Sequence, residues 1–255
     1  MRIGAHVPSA DPLTEASTRA ADVVQVFLSA PRMWKPPKER QDAAVLAASD
    51  VPIYVHAPYL INVASPNPRV RHPSRSALQA TCDAAERIGA AGVVVHGGHV
   101  GADADETVGI AHWVKTFAQL ETDVPVLIEN TAGGQHAMAR YVEMIARLFD
   151  ALAEVDVGFC FDTCHAHAAG EDLIDVIERV RDATGRIDLV HANDSKDEPG
   201  SGRDRHANLG AGMIEEGTLV AMIAAADAPV VVETPGGDAA QRDDIAWLRE
   251  RLTSR

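Results

Sequence analysis

Short apolar runs alternate along the chain with longer, alanine-rich amphipathic stretches. The runs at 93–95 and 230–232 are apolar at every position, which is typical of strands buried on both faces of a parallel sheet. The pattern predicts eight strands, each followed by a helix. The predicted strands are residues 3–6, 23–28, 53–56, 93–96, 126–129, 158–162, 189–191 and 230–233, and the predicted helices lie near residues 12–20, 39–49, 74–88, 105–121, 137–153, 172–184, 214–226 and 239–252.

The number of strand–helix units predicts the fold class. Eight units in a chain of 255 residues match a (β/α)8 TIM barrel, an α/β fold whose active site lies at the C-terminal ends of the strands. Hydrophobic residues at 46% and charged residues at 24% are ordinary for a globular protein, and no proline- or serine-rich linker interrupts the chain. We therefore expect one barrel domain over residues 1–255.

Six predicted strands end in a residue that can bind a metal ion, namely His56, His96, Glu129, Asp162, His191 and Glu233. His165 follows three positions after Asp162, and Asp204 and His206 are two positions apart, so both face one side of an extended segment. Strand ends converge in a barrel, so we expect these nine side chains in one bowl. One such residue alone more often anchors a loop, but nine without cations would carry a heavy cost of desolvation and repulsion.

The chemistry of this set predicts clustered metal ions. Imidazole and carboxylate without thiolate suit Zn²⁺, Mn²⁺ or Fe²⁺. At about three to four protein ligands per catalytic metal, the set suits two ions generously, or three ions with one shared carboxylate. Clustered divalent ions lower the pKa of a bound water to about 7 and stabilise the attacking and leaving oxygens of a phosphoryl displacement. The residues alone therefore predict a multinuclear hydrolytic site, and they leave its substrate open.

The overall charge points away from nucleic acid. Asp and Glu number 37 against 23 Lys and Arg, a formal net charge of −14, and aromatic residues make up 4%. Alone, this composition favours an enzyme for small molecules over a DNA-coating protein or a stacking platform for single strands. The chain shows no secretory signal, no apolar run long enough to span a bilayer and no CxxC pair among its three cysteines. We expect a cytoplasmic monomer that has no membrane partner.

Several motifs resemble those of one enzyme family. They are Gly-Ala-His-Val at 4–7, His-Ala-Pro-Tyr-Leu-Ile-Asn at 56–62, Glu-Asn-Thr-Ala-Gly at 129–133, Asp-Thr-Cys-His-Ala at 162–166, His-Ala-Asn-Asp at 191–194, Asp-Arg-His-Ala-Asn-Leu-Gly at 204–210 and Val-Glu-Thr at 232–234. In these motifs the chain resembles endonuclease IV (deoxyribonuclease IV), the family 2 apurinic/apyrimidinic endonucleases, whose barrel is xylose isomerase-like. The resemblance implies a DNA-repair enzyme that cleaves the phosphodiester 5′ to an abasic site in duplex DNA, by attack of a metal-bound hydroxide. The implied products are a 3′-hydroxyl and a 5′-deoxyribose phosphate.

The resemblance also implies a ligand set for three Zn²⁺ ions, and Mn²⁺ suits the same ligands. In this set the first ion is held by His56, His96 and Glu129, the second by Glu129, Asp162, His191 and Glu233, and the third by His165, Asp204 and His206. The catalytic residues it implies are Glu129, Asp162 and Glu233.

The DNA contacts carry over with two departures. Arg32 and Trp34 occupy a loop that faces the minor groove in this family, and Tyr59 and Leu60 match a pair that enters the base stack beside the flipped-out nucleotide. Position 33 is Met where a polar residue is common, and residues 97–99 are Gly-Gly-His where a Pro-Gly turn is usual. The implied partner is duplex DNA that contains abasic sites or 3′-blocking lesions.

The distribution of basic residues modifies the argument from net charge. Three segments near the predicted active face hold ten of the 23 basic residues: Arg32, Lys35, Lys38, Arg40, Arg69, Arg71, Arg75, Lys196, Arg203 and Arg205. Of these, Arg203 and Arg205 join Arg32 as expected DNA contacts. The segments predict a cationic rim and DNA binding that weakens steeply with salt.

Two alternatives stay open at the level of sequence. A metal-dependent sugar isomerase or epimerase of the xylose isomerase-like barrels shares a core resembling Glu129, Asp162, His191 and Glu233, but it gains nothing from further ligands at His56, His96, Asp204 and His206. A non-catalytic damage-binding barrel is expected to have lost ligands, whereas all nine stand here.

Overall fold

The computed structural model describes residues 1–102 and 104–253. In chain order, the described elements are β1 Ile3–His6, α1 Pro12–Arg19, β2 Val24–Val26, α2 Ala43–Ala47, β3 Ile53–His56, α3 Pro68–Arg87, β4 Gly92–His96, α4 Glu106–Phe117, β5 Val126–Glu129, α5 Val142–Ala151, β6 Val157–Asp162, α6 Thr163–Ala169, α7 Val176–Thr184, β7 Leu189–His191, β8 Asp194–Ser195, β9 His206–Ala207, α8 Glu216–Ala226, β10 Val230–Val232 and α9 Gly237–Thr253. Eight parallel strands close into a barrel in the order β1-β10-β7-β6-β5-β4-β3-β2. The predicted TIM barrel is confirmed.

Two apolar layers hold the barrel. The larger cluster packs the outer strand faces against the helices, where Trp113, Leu148 and Phe159 are fully buried. The smaller cluster takes one residue from most barrel strands, at Val23, Tyr54, Val94, Leu127, Cys160, Leu189 and Val231. Side chains alternate between the two faces of a strand, so the residue two positions later on each strand points to the same side. The smaller cluster is therefore the floor on which the strand-end residues stand.

The loops and helices differ from the predicted pattern where side chains bind the backbone. The helix predicted over 39–49 is only Ala43–Ala47, because Arg40 is bound to both oxygens of Asp42 (2.9 and 2.7 Å) and to the carbonyl of Ser9 before the helix begins. The helix predicted from residue 74 begins at Pro68, since the side chain of Asn67 accepts a hydrogen bond from the Arg69 amide at 3.0 Å.

Three short elements were not predicted. Helix α6 directly follows β6, because the Asp162 carboxylate accepts a hydrogen bond from the His165 amide at 2.7 Å and Gly170 ends the helix with a φ of 88°. Strands β8 and β9 form an antiparallel pair that connects β7 to α8. Among the described residues, no helix has both the length and the apolar character needed to cross a bilayer.

Candidate metal centre

The layer above the barrel floor is polar and takes one side chain from each of the eight strand positions. Seven members stand two positions after a floor residue, namely Gln25, His56, His96, Glu129, Asp162, His191 and Glu233, and His6 ends β1. Glu129, Asp162, His191 and Gln25 are fully buried. Six of the eight are predicted metal ligands, so the strand-end pattern in the sequence translates directly into one ring of side chains.

The first group of the centre is His56, His96 and Glu129, whose ligand atoms all lie within 4.8 Å of one another. Oε2 of Glu129 lies 3.2 Å from Nε2 of His56 and 3.2 Å from Nε2 of His96. Strands β3, β4 and β5 are consecutive neighbours in the barrel and bring these ring nitrogens to one oxygen. The geometry fits one divalent ion between two imidazoles and a carboxylate.

The second group shares Glu129 and adds Asp162, His191 and Glu233, again within 4.8 Å. Oε1 of Glu129 lies 3.0 Å from Nδ1 of His191, and Oε2 of Glu233 lies 3.4 Å from the same nitrogen. The two oxygens of Glu129 therefore face different groups, which is the arrangement of a bridging carboxylate.

The third group consists of His165 from α6, Asp204 from the loop between β8 and β9, and His206 at the start of β9. Oδ1 of Asp204 lies 3.3 Å from Nε2 of His165 and 2.9 Å from Nε2 of His206. Asp162 lies within 4.8 Å of both histidines, and Cys164 lies within that distance of Asp204 and His206. Both Nε2 atoms are buried, and their close contacts with the Asp204 carboxylate lack the geometry of a hydrogen bond. Buried imidazole nitrogens that face a carboxylate without a hydrogen bond fit a bound metal ion.

Hydrogen bonds select which ring nitrogen of each histidine faces the centre. Nδ1 of His56 donates to the carbonyl of Ala57 at 2.7 Å, and Nδ1 of His165 donates to the carbonyl of Asn130 at 2.8 Å. A carbonyl oxygen only accepts, so the other nitrogen, Nε2, is left as the ligand atom in both. Such partners fix the tautomer and the orientation of metal-binding histidines.

Carboxylates and imidazoles perturb one another strongly in this centre. Burial raises the pKa of Glu129, but the charges of His191 and His96 and hydrogen bonds from His165 and His191 outweigh it, so the pKa lies well below its usual value. Burial lowers the pKa of His206, but close contact with the Asp204 carboxylate and the charge of Asp162 outweigh it and raise the pKa to about 9. Protons on the imidazoles thus balance the carboxylates when no cation does, and metal binding releases them.

Two open cavities lie beside the centre. One, of about 620 Å³, is lined by Tyr59, His96, His165 and Asp204 among others, and opens onto the first and third groups. The other, of about 750 Å³, has His6 and Phe27 on its wall and Lys35 and Lys38 at its edge, together with other residues of the loops after β1 and β2. The Tyr59 ring contacts Phe27 and His96, with centroids 5.1 and 5.6 Å away. Tyr59 lines the first cavity and Phe27 lines the second, so this pair of rings stands between them.

The residues predicted to contact DNA occupy the loops around these cavities. Trp34 and Tyr59 are large aromatic residues with exposed fractions of 49% and 45%, and Arg32 is exposed beside them. The amide of Tyr59 donates to the carbonyl of Pro31 at 2.9 Å, which ties the loop after β3 to the loop after β2. Leu60 lines the cavity over the first group.

Only part of the predicted cationic rim is free of other contacts. Asp197 pairs with both Arg203 (3.4 Å) and Arg205 (3.0 Å), so two guanidinium groups share one carboxylate on the loop between β8 and β9. Arg40, Arg71 and Arg75 also hydrogen-bond within the protein, to Asp42 and Ser9, to the carbonyls of Ser65 and Pro66, and to Thr116 and His112. Of the ten rim residues, those whose side chains have no such partner among the described residues are Arg32, Lys35, Lys38, Arg69 and Lys196.

Sequence reasoning missed three polar residues that orient ligands. Asn193 donates from its side-chain nitrogen to Oδ2 of Asp162 at 2.7 Å, and Asn130 accepts from the Asp162 amide at 2.7 Å. Gln25 contacts His191 and Glu233. The sequence carries a signal for each of them. Asn130 directly follows Glu129, Asn193 follows His191 by two positions, and Gln25 is a polar residue inside an otherwise apolar strand.

The glycine pair at 97–98 leaves little room for side chains. A Cβ on Gly97 would lie 2.5 Å from the Cβ of Ala139, and one on Gly98, whose φ is 70°, would lie 2.5 Å from Oδ1 of Asn62. The carbonyl of Gly97 accepts a hydrogen bond from the buried Trp113 indole at 2.8 Å. This close packing fixes the chain directly after His96.

Comparisons with known proteins agree with this geometry. A family model described as "Xylose isomerase-like TIM barrel" matches residues 13–251. The chain is 59% identical over 254 residues to a "Probable endonuclease 4" of Mycobacterium marinum, with both chains covered completely. It is 61% identical over 253 residues to one of Mycobacterium leprae, covering 99% of this chain and 100% of the relative.

Solved structures add the fold. The crystal structure of endonuclease IV from Thermus thermophilus superposes with a TM-score of 0.86 at 28% identity and covers all of both chains. A D-tagatose 3-epimerase-like protein superposes with a TM-score of 0.81 at 18% identity, covering 100% of this chain and 98% of the other. At that lower identity the likeness is one of fold alone.

Proposed function

Because the chain belongs to the endonuclease IV family of xylose isomerase-like TIM barrels, we propose that it is a DNA-repair endonuclease that hydrolyses the phosphodiester 5′ to an abasic site in duplex DNA. The observation that carries the proposal is the convergence of nine imidazole and carboxylate side chains into three adjoining groups joined by Glu129 and Asp162. The same face bears exposed Trp34 and Tyr59 beside two cavities.

We assign one zinc ion to each group, with Mn²⁺ suited to the same atoms. The first would be held by His56, His96 and Glu129, the second by Glu129, Asp162, His191 and Glu233, and the third by His165, Asp204 and His206. Ions held there supply a water of lowered pKa and positive charge for the attacking and leaving oxygens of the phosphate. The buried Nε2 atoms of His165 and His206, which face the Asp204 carboxylate without a hydrogen bond, support the assignment of the third ion.

The protein's own residues position the substrate. Hydrogen bonds with His191, Asn193 and Gln25 fix the carboxylates of Glu129, Asp162 and Glu233, respectively. These carboxylates therefore keep one geometry around the reacting phosphate. Tyr59 and Leu60 stand at the mouth of the cavity over the first group, where they fit the space left when a nucleotide leaves the stack. Arg32, Trp34 and Lys35 fit contacts to the flanking duplex.

The third group separates this proposal from a sugar isomerase. Proton transfer between neighbouring carbons of a sugar needs one or two ions, and Glu129, Asp162, His191 and Glu233 suffice for that chemistry. His165, Asp204 and His206 have contacts of 2.9 and 3.3 Å around a further ion position. A phosphodiester with a charged transition state and an alkoxide leaving group gains from that extra charge. A non-catalytic damage-binding barrel is expected to have lost some of the nine ligands.

The test offers purified protein a labelled duplex with one tetrahydrofuran abasic analogue. We expect incision on the 5′ side of the lesion, about three zinc ions per chain by elemental analysis, loss of activity with chelator and recovery with Zn²⁺ or Mn²⁺. The same duplex without the lesion is the substrate control, and ketose interconversion is measured alongside. Two ions or fewer without incision, together with ketose interconversion, would refute the nuclease and establish the isomerase.

A further inference from the structure

Gln25 stands in the ring of ligands without being a ligand itself. It lies in the middle of β2, where Val24, Gln25 and Val26 are all fully buried, two positions after Val23 of the barrel floor. The other strands place histidines and carboxylates at this level. A buried amide is costly unless it is hydrogen-bonded, so its contacts indicate why it stands there.

The amide of Gln25 reaches three members of the ring. Its Oε1 lies 2.9 Å from Nε2 of His191. Its Nε2 lies 2.7 Å from Oε1 of Glu233 and 2.9 Å from Nδ1 of His6. The opposite orientation of the amide would set its oxygen against the Glu233 carboxylate, so the network itself assigns the two ends.

These contacts determine which atoms of two ligands face the second group. A carbonyl oxygen only accepts, so Nε2 of His191 must carry the proton and Nδ1 is the nitrogen that is free to bind a metal. Nδ1 is also the atom that lies 3.0 Å from Glu129 and 3.4 Å from Oε2 of Glu233. Because Gln25 donates to Oε1 of Glu233, that side chain turns its other oxygen to the group.

We infer that Gln25 is a positioning residue of the metal centre, which selects the Nδ1 ligand atom of His191 and the Oε2 ligand atom of Glu233 by hydrogen bonds from one amide. The inference rests on the proposed function for the presence of metal in the second group. It assigns a role to β2, a barrel strand that neither contains nor directly precedes a predicted ligand.

The test compares two variants with a matched control. Gln25→Met keeps the length of the side chain and removes its hydrogen bonds to His191, Glu233 and His6. Gln25→Glu keeps an acceptor for His191 and loses the donor to Glu233. Gln241→Leu is the control, because Gln241 is also buried at this end of the barrel but contacts Arg19 and the carbonyls of His6 and Thr234. Zinc affinity is measured by competition with a chelator, and ¹⁵N NMR of the zinc-loaded protein identifies the coordinating nitrogen of His191.

We expect wild type and Gln25→Glu to coordinate through Nδ1, and Gln25→Met to bind one zinc about 10–100-fold more weakly, the range for losing a partner of a metal ligand. Gln241→Leu should bind zinc as wild type does. Unchanged zinc affinity in a folded Gln25→Met protein, or coordination through Nε2 of His191 in the wild type, overturns the inference. The wild-type measurement stands even if Gln25→Met does not fold. A wild type that takes up no zinc and does not incise DNA contradicts the proposed function instead.

Discussion

Replacing Glu129 by Gln should disable two metal groups at once. The two oxygens of this fully buried carboxylate lie 3.0–3.4 Å from ring nitrogens of four histidines, His56, His96, His165 and His191. Glutamine keeps the shape of the side chain, removes its negative charge and turns an NH₂ group toward one pair of imidazoles. Because the packing is conserved, any change in metal content reports the loss of charge and of ligand atoms.

The expected size of the effect follows from the contacts. Loss of a residue that only supports a ligand costs about 10–100-fold in metal affinity, and Glu129 faces two groups directly. We expect at least about 100-fold weaker binding of each of two ions, about 2.7 kcal/mol per ion. At a free zinc concentration that is about 100 times the wild-type Kd, this removes about 2.3 kcal/mol of stabilisation per ion, or about 5–9 °C in Tm.

The assay measures zinc content after dialysis at a fixed free zinc concentration, Tm with and without zinc, incision of the abasic duplex, and DNA binding by fluorescence anisotropy. Incision should fall by far more than DNA affinity, because the loops that carry Arg32 and Trp34 are unchanged. Glu154→Gln is the control, an exposed carboxylate between α5 and β6 at the opposite end of the barrel. The reasoning fails if Glu129→Gln keeps both its zinc and its activity, or loses cleavage and DNA binding equally at normal zinc content.

Three further substitutions test the loops around the centre. Trp34→Ala should leave Tm unchanged, since the ring is half-exposed, and should weaken binding of the abasic duplex by about 1–3 kcal/mol if one base stacks on it; equal affinity in anisotropy contradicts the assigned contact. Arg32→Ala should lower the slope of log affinity against log salt by about 1 unit. If the variant and the wild type have the same slope, Arg32 neutralises no phosphate. Gly97→Ala should cost about 1–3 kcal/mol in chemical denaturation, because its Cβ would lie 2.5 Å from that of Ala139; wild-type stability rules out the steric explanation for this glycine.

Strand periodicity is enough to predict the part of the site that stands on the barrel. A residue that ends a buried parallel strand is carried to one face of the barrel whatever the loops do, and so the strand pattern alone places His56, Glu129 and His191 correctly relative to one another. Helix α6 was missed because Asp162 has two roles: it ends β6 and caps the next helix with the same carboxylate.

Hydrogen-bond partners of loop residues cannot be inferred from periodicity. Arg203 and Arg205 were assigned to DNA by their charge, but Asp197 lies six and eight positions before them and turns back to pair with both. That turn depends on the β8–β9 pair. Each strand of this pair has only two residues, which is too short for an alternating apolar pattern to predict it. Any DNA contact by these arginines must share them with the carboxylate that already holds the loop.

Net charge is a poor guide to the ligand of this protein, because the charges are sorted by position. Of the 37 acidic residues, Glu129, Asp162, Asp204 and Glu233 lie in the metal centre, and three Zn²⁺ ions bound there would change the formal charge from −14 to −14 + 6 = −8. The exposed, unpaired Arg32, Lys35 and Lys38 all lie on one loop beside the centre. A phosphate backbone that approaches this face meets cations at the surface and would meet cations at the bottom of the bowl, at distances shorter than the ~8–10 Å screening length of physiological salt. Attraction at that range depends on the local field, so the net charge of the whole chain contributes to solubility and says little about binding.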